Sequence, residues 1–124
     1  MGYGVRIIHA DGRDVTLPEK HDIAGGTYAV GGTRNAWLYV TYNYGSIFRR
    51  MLGEGGINTL NGKRVKDTVQ IIENAIAALG DAKPDADYWK ATDGNVRKAL
   101  ANLKKLADLA MRAFPDDEMT WSID

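Results

Sequence analysis

Cysteine is absent from the 124 residues, which excludes disulfides, thiolate metal sites and cysteine nucleophiles. Histidine is scarce as well, with His9 and His21 alone, and neither stands at a spacing to other ligands that repeats as a metal signature. Asp11 follows His9 and Asp22 follows His21 as they would in ordinary hairpins and loops. The only serines, Ser46 and Ser122, lie outside any G-x-S-x-G elbow, so a serine hydrolase is not expected. Carboxylates such as Asp87 and Asp93 leave an enzyme as a third-ranked reading, because their facing cannot be placed from sequence. The expectation is therefore a chain with no catalytic residue, no metal and no other cofactor. Net charge is missing too: 16 Lys and Arg balance 16 Asp and Glu, which removes the bulk electrostatic reason to propose a nucleic-acid or membrane-surface binder. No apolar run approaches the ~20 residues that span a bilayer. The opening residues lack a charged region followed by an apolar stretch, so a cytoplasmic location is the expectation.

What is present is the composition of one globular domain, 44% apolar and 26% charged, expected to span residues 1–124. Its two halves differ. Twelve of the 14 glycines and five of the six tyrosines fall in residues 1–62. Val5-Arg6-Ile7-Ile8-His9 and Asp14-Val15-Thr16-Leu17 flank Asp11-Gly12, a hairpin signal because the turn needs positive φ. Thr27-Tyr28-Ala29-Val30 and residues 36–43 form a second pair of β-prone runs, joined by a loop over 31–35. A short helix is expected over 44–52, capped by Asn43 and ending at Gly53. Asn61 is the expected cap of a long helix carrying Val65, Val69, Ile72, Ile76 and Leu79 at helical spacing. Thr92 caps the last helix, whose stripe runs through Val96, Leu100, Leu103, Ala110 and Phe114 to Pro115. The acidic tail, 115–124, is expected to add a short strand at 119–123. The parts are thus a β-rich stretch 1–43, a helical stretch 44–114 and the tail. This order predicts an α+β domain, with a small antiparallel sheet from the N-terminal half packed against two long C-terminal helices and one short one.

Val40-Thr41-Tyr42-Asn43-Tyr44, the run Gly56-Ile57 through Leu60-Asn61-Gly62-Lys63, and Asp87-Tyr88-Trp89-Lys90-Ala91-Thr92-Asp93-Gly94-Asn95-Val96 together carry a resemblance. They resemble a group of small bacteriophage and prophage proteins with a TYNY motif and a DYW-x-x-T-x-G-N-A signature. The likeness covers about residues 36–103 and departs at Val96, where the group carries alanine. It implies a viral accessory protein of a bacterial host cell, acting by binding a host or defence component as a host-defence inhibitor would; it implies no chemistry.

Three surfaces are candidates. Alternation along β-prone 37–42 puts Leu38, Val40 and Tyr42 on one face and Trp37, Tyr39 and Thr41 on the other. If the aliphatic face is the core, Trp37 and Tyr39 form a self-association or partner surface in a homo-oligomer; the alternative is edge packing under the long loops. Arg49, Arg50, Lys63, Arg64 and Lys66 stand against Glu54 alone. They read either as an anion site, with Lys63 and Arg64 in a first helical turn, or as a solvated segment ion-paired with the acidic tail. Tyr88 and Trp89 offer stacking planes while Asn95 and Arg97 offer directional donors, a combination that holds a nucleobase or a protein partner; Trp89 plugging the gap between the helices is the structural alternative. The glycine-rich run 25–34 matches no phosphate-loop pattern and reads as turns or bulges. The leading expectation is a binding protein without catalytic activity whose partner is a host or defence protein. The alternative is a sequestering binder of an anionic nucleotide.

Overall fold

The structure, a computed structural model, describes residues 2–23 and 32–124. It is an α+β fold with strands β1 (Gly2–Ile8), β2 (Thr16–His21), β3 (Thr33–Asn35), β4 (Trp37–Thr41) and β5 (Thr120–Ile123). The helices are α1 (Gly45–Leu52), α2 (Val65–Ala78) and α3 (Asp93–Ala113), with 3-10 turns at Tyr42–Tyr44 and Gly56–Leu60. β1 is the middle of a three-stranded antiparallel sheet in the order β4-β1-β5, while β2 pairs with β3 in a second sheet.

The expected Asp-Gly turn forms. Gly12 has φ 91°, and the amide of His9 donates to the Arg13 carbonyl at 2.8 Å. The hairpin it starts does not continue as a ladder, because both edges of β1 are taken by β4 and β5, and β2 peels away after the isolated Ile8–Asp14 bridge. The expected strand at 27–30 lies outside the described residues, as do 25, 26 and 31 of the glycine-rich run. Residues 33–35, expected as loop, are strand β3.

The sheet turns Leu38 and Val40 inward, together with Val5, Ile7, Trp121 and Ile123. Against them pack Phe48 of α1, Ile72 of α2 and Leu100, Leu103 and Leu106 of α3, all fully buried. Tyr42, expected on this face, is exposed instead. Strand geometry stops at Thr41, the 3-10 turn begins, and alternation by two no longer applies.

Helix boundaries show where local signals worked. Thr92 caps α3, its hydroxyl accepting from the Asn95 amide at 3.1 Å. Asn43 and Asn61 do not cap. Thr41 Oγ1 accepts from the Asn43 amide, and α2 begins at Val65 rather than at Asn61. Asn61 Oδ1 instead accepts from the Ile123 amide at 2.9 Å, tying the chain before α2 to β5. The buried stripe of α2 includes Thr68, whose hydroxyl donates to the Val65 carbonyl and accepts from the Trp121 indole N–H, both at 2.8 Å. Trp121, in the acidic tail, is thereby a fully buried core residue with its one polar atom satisfied. Gly94 opens α3 under the loop 81–92 so tightly that a Cβ there would lie 1.7 Å from the Lys83 carbonyl oxygen, a contact only glycine permits.

Candidate binding surfaces

The outer face of the three-stranded sheet carries the aromatics that alternation placed there. Register pairs Arg6 with Trp37 and Gly4 with Tyr39, so these four residues share that face. Trp37 is 44% and Tyr39 37% exposed, with ring centroids 6.0 Å apart. The two rings lie across the glycines of β1. A Cβ on Gly4 would meet Trp37 Nε1 at 3.4 Å, and one on Gly2 would meet Tyr39 Cε1 at 3.0 Å. The Tyr39 hydroxyl accepts from the Gly2 amide at 3.1 Å, which pins its orientation. Glycine at positions 2 and 4 of β1 is thus what lets the two large rings approach the strand this closely, since a Cβ at either position would press against them.

Two more exposed aromatics sit at the end of the same strand. Tyr42, next after β4, packs its ring edge-to-face on Tyr3 at 4.7 Å and remains 48% exposed. Trp89, 54% exposed, is brought there by its loop: the Thr41 amide donates to the Tyr88 hydroxyl at 2.9 Å, and Asn43 Nδ2 donates to the Trp89 carbonyl at 2.9 Å. Trp89 therefore does not plug the gap between the helices. Tyr88 takes the inner position, packed on Tyr44, whose hydroxyl donates to the Tyr88 carbonyl. Burial raises the phenol pKa of both Tyr44 and Tyr88, so both keep their protons at neutral pH.

Asn95, expected to face a ligand, lies beneath the loop instead. Its Nδ2 donates to the carbonyls of Asp87 at 3.0 Å and Lys90 at 2.8 Å, and its Oδ1 accepts from the Asp85 amide at 2.8 Å. The amide is spent on shaping the turn that presents Trp89. Arg97 is half-buried and its Nε has no hydrogen-bond partner among the described residues. Asp87 closes the same loop by accepting from the Trp89 amide, and Asp93 pairs with Arg50, so each of these carboxylates is engaged in a contact that shapes the loop or its surroundings.

The basic segment divides. Arg64 lies before α2 rather than in its first turn, and pairs with Asp67 at 2.9 Å and Glu118 at 3.4 Å. Lys66 pairs with the same Glu118 at 3.0 Å. The Lys66 hydrogen bond, with further help from Arg64, lowers the Glu118 pKa, and the Asp67 hydrogen bond raises that of Arg64. The pairing with the tail expected from the charge pattern is therefore present for Arg64 and Lys66. Arg49 and Lys63 make no ion pair among the described residues. Lys63 also stands outside the helix, so the anion site expected from a cationic first turn has lost its helical basis.

One polar contact carried no local signal. His9 Nδ1 lies 2.5 Å from Asp117 Oδ2, with Phe114 edge-on to the imidazole at 4.9 Å. The partners are 108 positions apart in sequence. No protein-family model, curated protein or solved structure matches this chain.

Proposed function

We propose that this chain is a non-catalytic accessory protein of phage origin that acts by covering part of a host or defence protein, and that β4 and its C-terminal end form the contact surface. The observation carrying this reading is the placement of the exposed aromatics: Trp37, Tyr39, Tyr42 and Trp89 all lie on β4, directly after it, or on the loop bonded to its end. Large rings held partly in water at one end of a sheet have the composition of an interface core, where Trp and Tyr bury wide area at small entropic cost. A homo-oligomer built through the same face competes with a foreign partner for it.

The test uses the double variant Trp37→Ser with Tyr39→Ser, alongside the parent chain. Both should fold alike by circular dichroism. Affinity capture from a bacterial lysate should recover a host protein with the parent and lose it with the double variant. Light scattering on the two proteins reports self-association. Equal recovery by both, or the same oligomeric mass for both with no partner captured, refutes the assignment of this face.

A further inference from the structure

Three chain segments meet at one point through a closed triangle of backbone hydrogen bonds. The Ile7 amide donates to the Ala36 carbonyl at 3.0 Å, the Val15 amide to the Ile7 carbonyl at 3.1 Å, and the Ala36 amide to the Val15 carbonyl at 3.4 Å. Beyond the triangle the segments part, β4 staying with β1 while β2 leaves to pair with β3. The parting opens a cleft of about 180 Å³, floored by the triangle's residues and rimmed by Arg6, Asp14, Asn35 and Trp37. Drug-sized ligands occupy roughly 300–1,000 Å³, so this space suits a single flat ring system.

The rim is chemically specific. The Trp37 ring is partly exposed and offers a stacking plane. The Arg6 guanidinium donates to Asp14 at 3.2 Å and to Ser122 at 3.3 Å and lies 4.0 Å from an Asp124 carboxylate oxygen, yet its buried Nε has no acceptor among the described residues. Asp14 is 68% exposed on its side chain and engages Arg6 through one oxygen, leaving the other open. The Asn35 side-chain amide likewise has no partner among the described residues. An exposed ion pair of this kind is held weakly, so its members can turn to a ligand at small cost.

From this arrangement we propose that the cleft binds a 6-oxopurine nucleoside, guanosine in particular. Stacked on Trp37, guanine presents ring and amino N–H groups that a carboxylate accepts together, matching Asp14. Its adjacent O6 accepts from an amide or guanidinium, matching Asn35 and Arg6. Adenine puts a lone pair where guanine has its ring N–H, so it faces the Asp14 carboxylate with an acceptor. The recognition is of the base, which is consistent with a rim of balanced charge. The proposal is separate from the protein-binding reading: Trp37 serves both, whereas Asp14 lies off the β4 surface.

Isothermal titration of the full chain with guanosine, inosine, adenosine and cytidine tests it. Guanosine should bind, and adenosine should bind at least about tenfold more weakly. Asp14→Asn should weaken guanosine by about tenfold or more and should not weaken adenosine, whose ring lone pair then meets an amide donor instead of a carboxylate; Trp37→Ala should abolish both. Asp14 is exposed, so its variant should keep the parent's melting temperature. No heat with any nucleoside at about 1 mM, equal affinity for guanosine and adenosine, or an Asp14→Asn variant that binds guanosine normally each overturns the proposal. Binding of guanosine monophosphate that Arg49→Ala with Lys63→Ala abolishes, with no binding of guanosine itself, assigns recognition to the phosphate and also overturns it.

Discussion

The two faces of the β4-β1-β5 sheet each carry a tryptophan, and the two residues have opposite fates. Trp121, on β5, is fully buried and gives its indole N–H to Thr68 of α2; Trp37, on β4, lies over Gly4 and is 44% exposed. The inner ring has a helix layer to pack against and a hydroxyl to satisfy it. The outer ring has Gly4 beneath it and only the edge of Tyr39 beside it, with no helix layer over it among the described residues. The contrast separates aromatics that hold the fold from those free to meet something else, a distinction that composition does not make.

The largest break of that contrast is Trp121→Ala, which should cost ~3–5 kcal/mol in chemical denaturation because it empties the core between β5 and α2. Trp37→Ala, a change of equal size, should cost at most about 1 kcal/mol. Comparable losses at the two positions would mean the outer face is core after all. Ile72→Ala, in α2 on the inner side, should cost ~2–5 kcal/mol, and an unchanged midpoint would place that stripe on the surface.

Thr68→Val keeps the shape but leaves the Trp121 N–H without an acceptor, an expected loss of ~1–3 kcal/mol that Thr68→Ser should largely restore. If Val is tolerated as well as Ser, the hydrogen bond does not contribute.

Asp117 gives a pH test. The His9 hydrogen bond, followed by that of the Ala10 amide, lowers its pKa below the ordinary 3.8. Its stabilising effect is therefore complete above the unfolded-state value and fades as the pH falls through the lowered folded value. Denaturation midpoints followed from pH 7 to pH 2 should fall in that acid range, and Asp117→Asn should flatten the fall. An unchanged acid limb in the variant would assign the fall to other carboxylates. The smallest effect belongs to Glu118→Gln at the exposed Lys66 and Arg64 pairs, a slight destabilisation that added salt should erase.

The helical half was the most legible part. The spacing of Val96, Leu100 and Leu103, with Thr92 before them, marks α3 and its cap, because one turn of helix needs only residues three and four apart. Alternation also assigned Leu38 and Val40 inward and Trp37 and Tyr39 outward. It failed at Tyr42, where the strand had already ended. Asn61 looked like a cap because its type and position suited one, yet its amide oxygen is taken by Ile123, 62 positions away. Of the candidate site residues, Trp89 reaches the β4 surface through bonds to Thr41 and Asn43, while Asn95 turns inward to shape its loop. No local pattern separates the two.

Periodicity, capping residues and the Asp-Gly turn were enough to determine an α+β chain, its helix stripes and the inner face of β4, since each depends on neighbours within a few positions. Only the tertiary structure decided that β1 lies between β4 and β5, that β2 departs to leave a cleft, and that the acidic tail supplies a buried tryptophan. Those outcomes depend on which distant segment takes each edge of β1 and which hydroxyl meets each buried N–H. Strand pairings between residues 31 to 118 positions apart settle that competition, and such pairings leave no trace in local spacing.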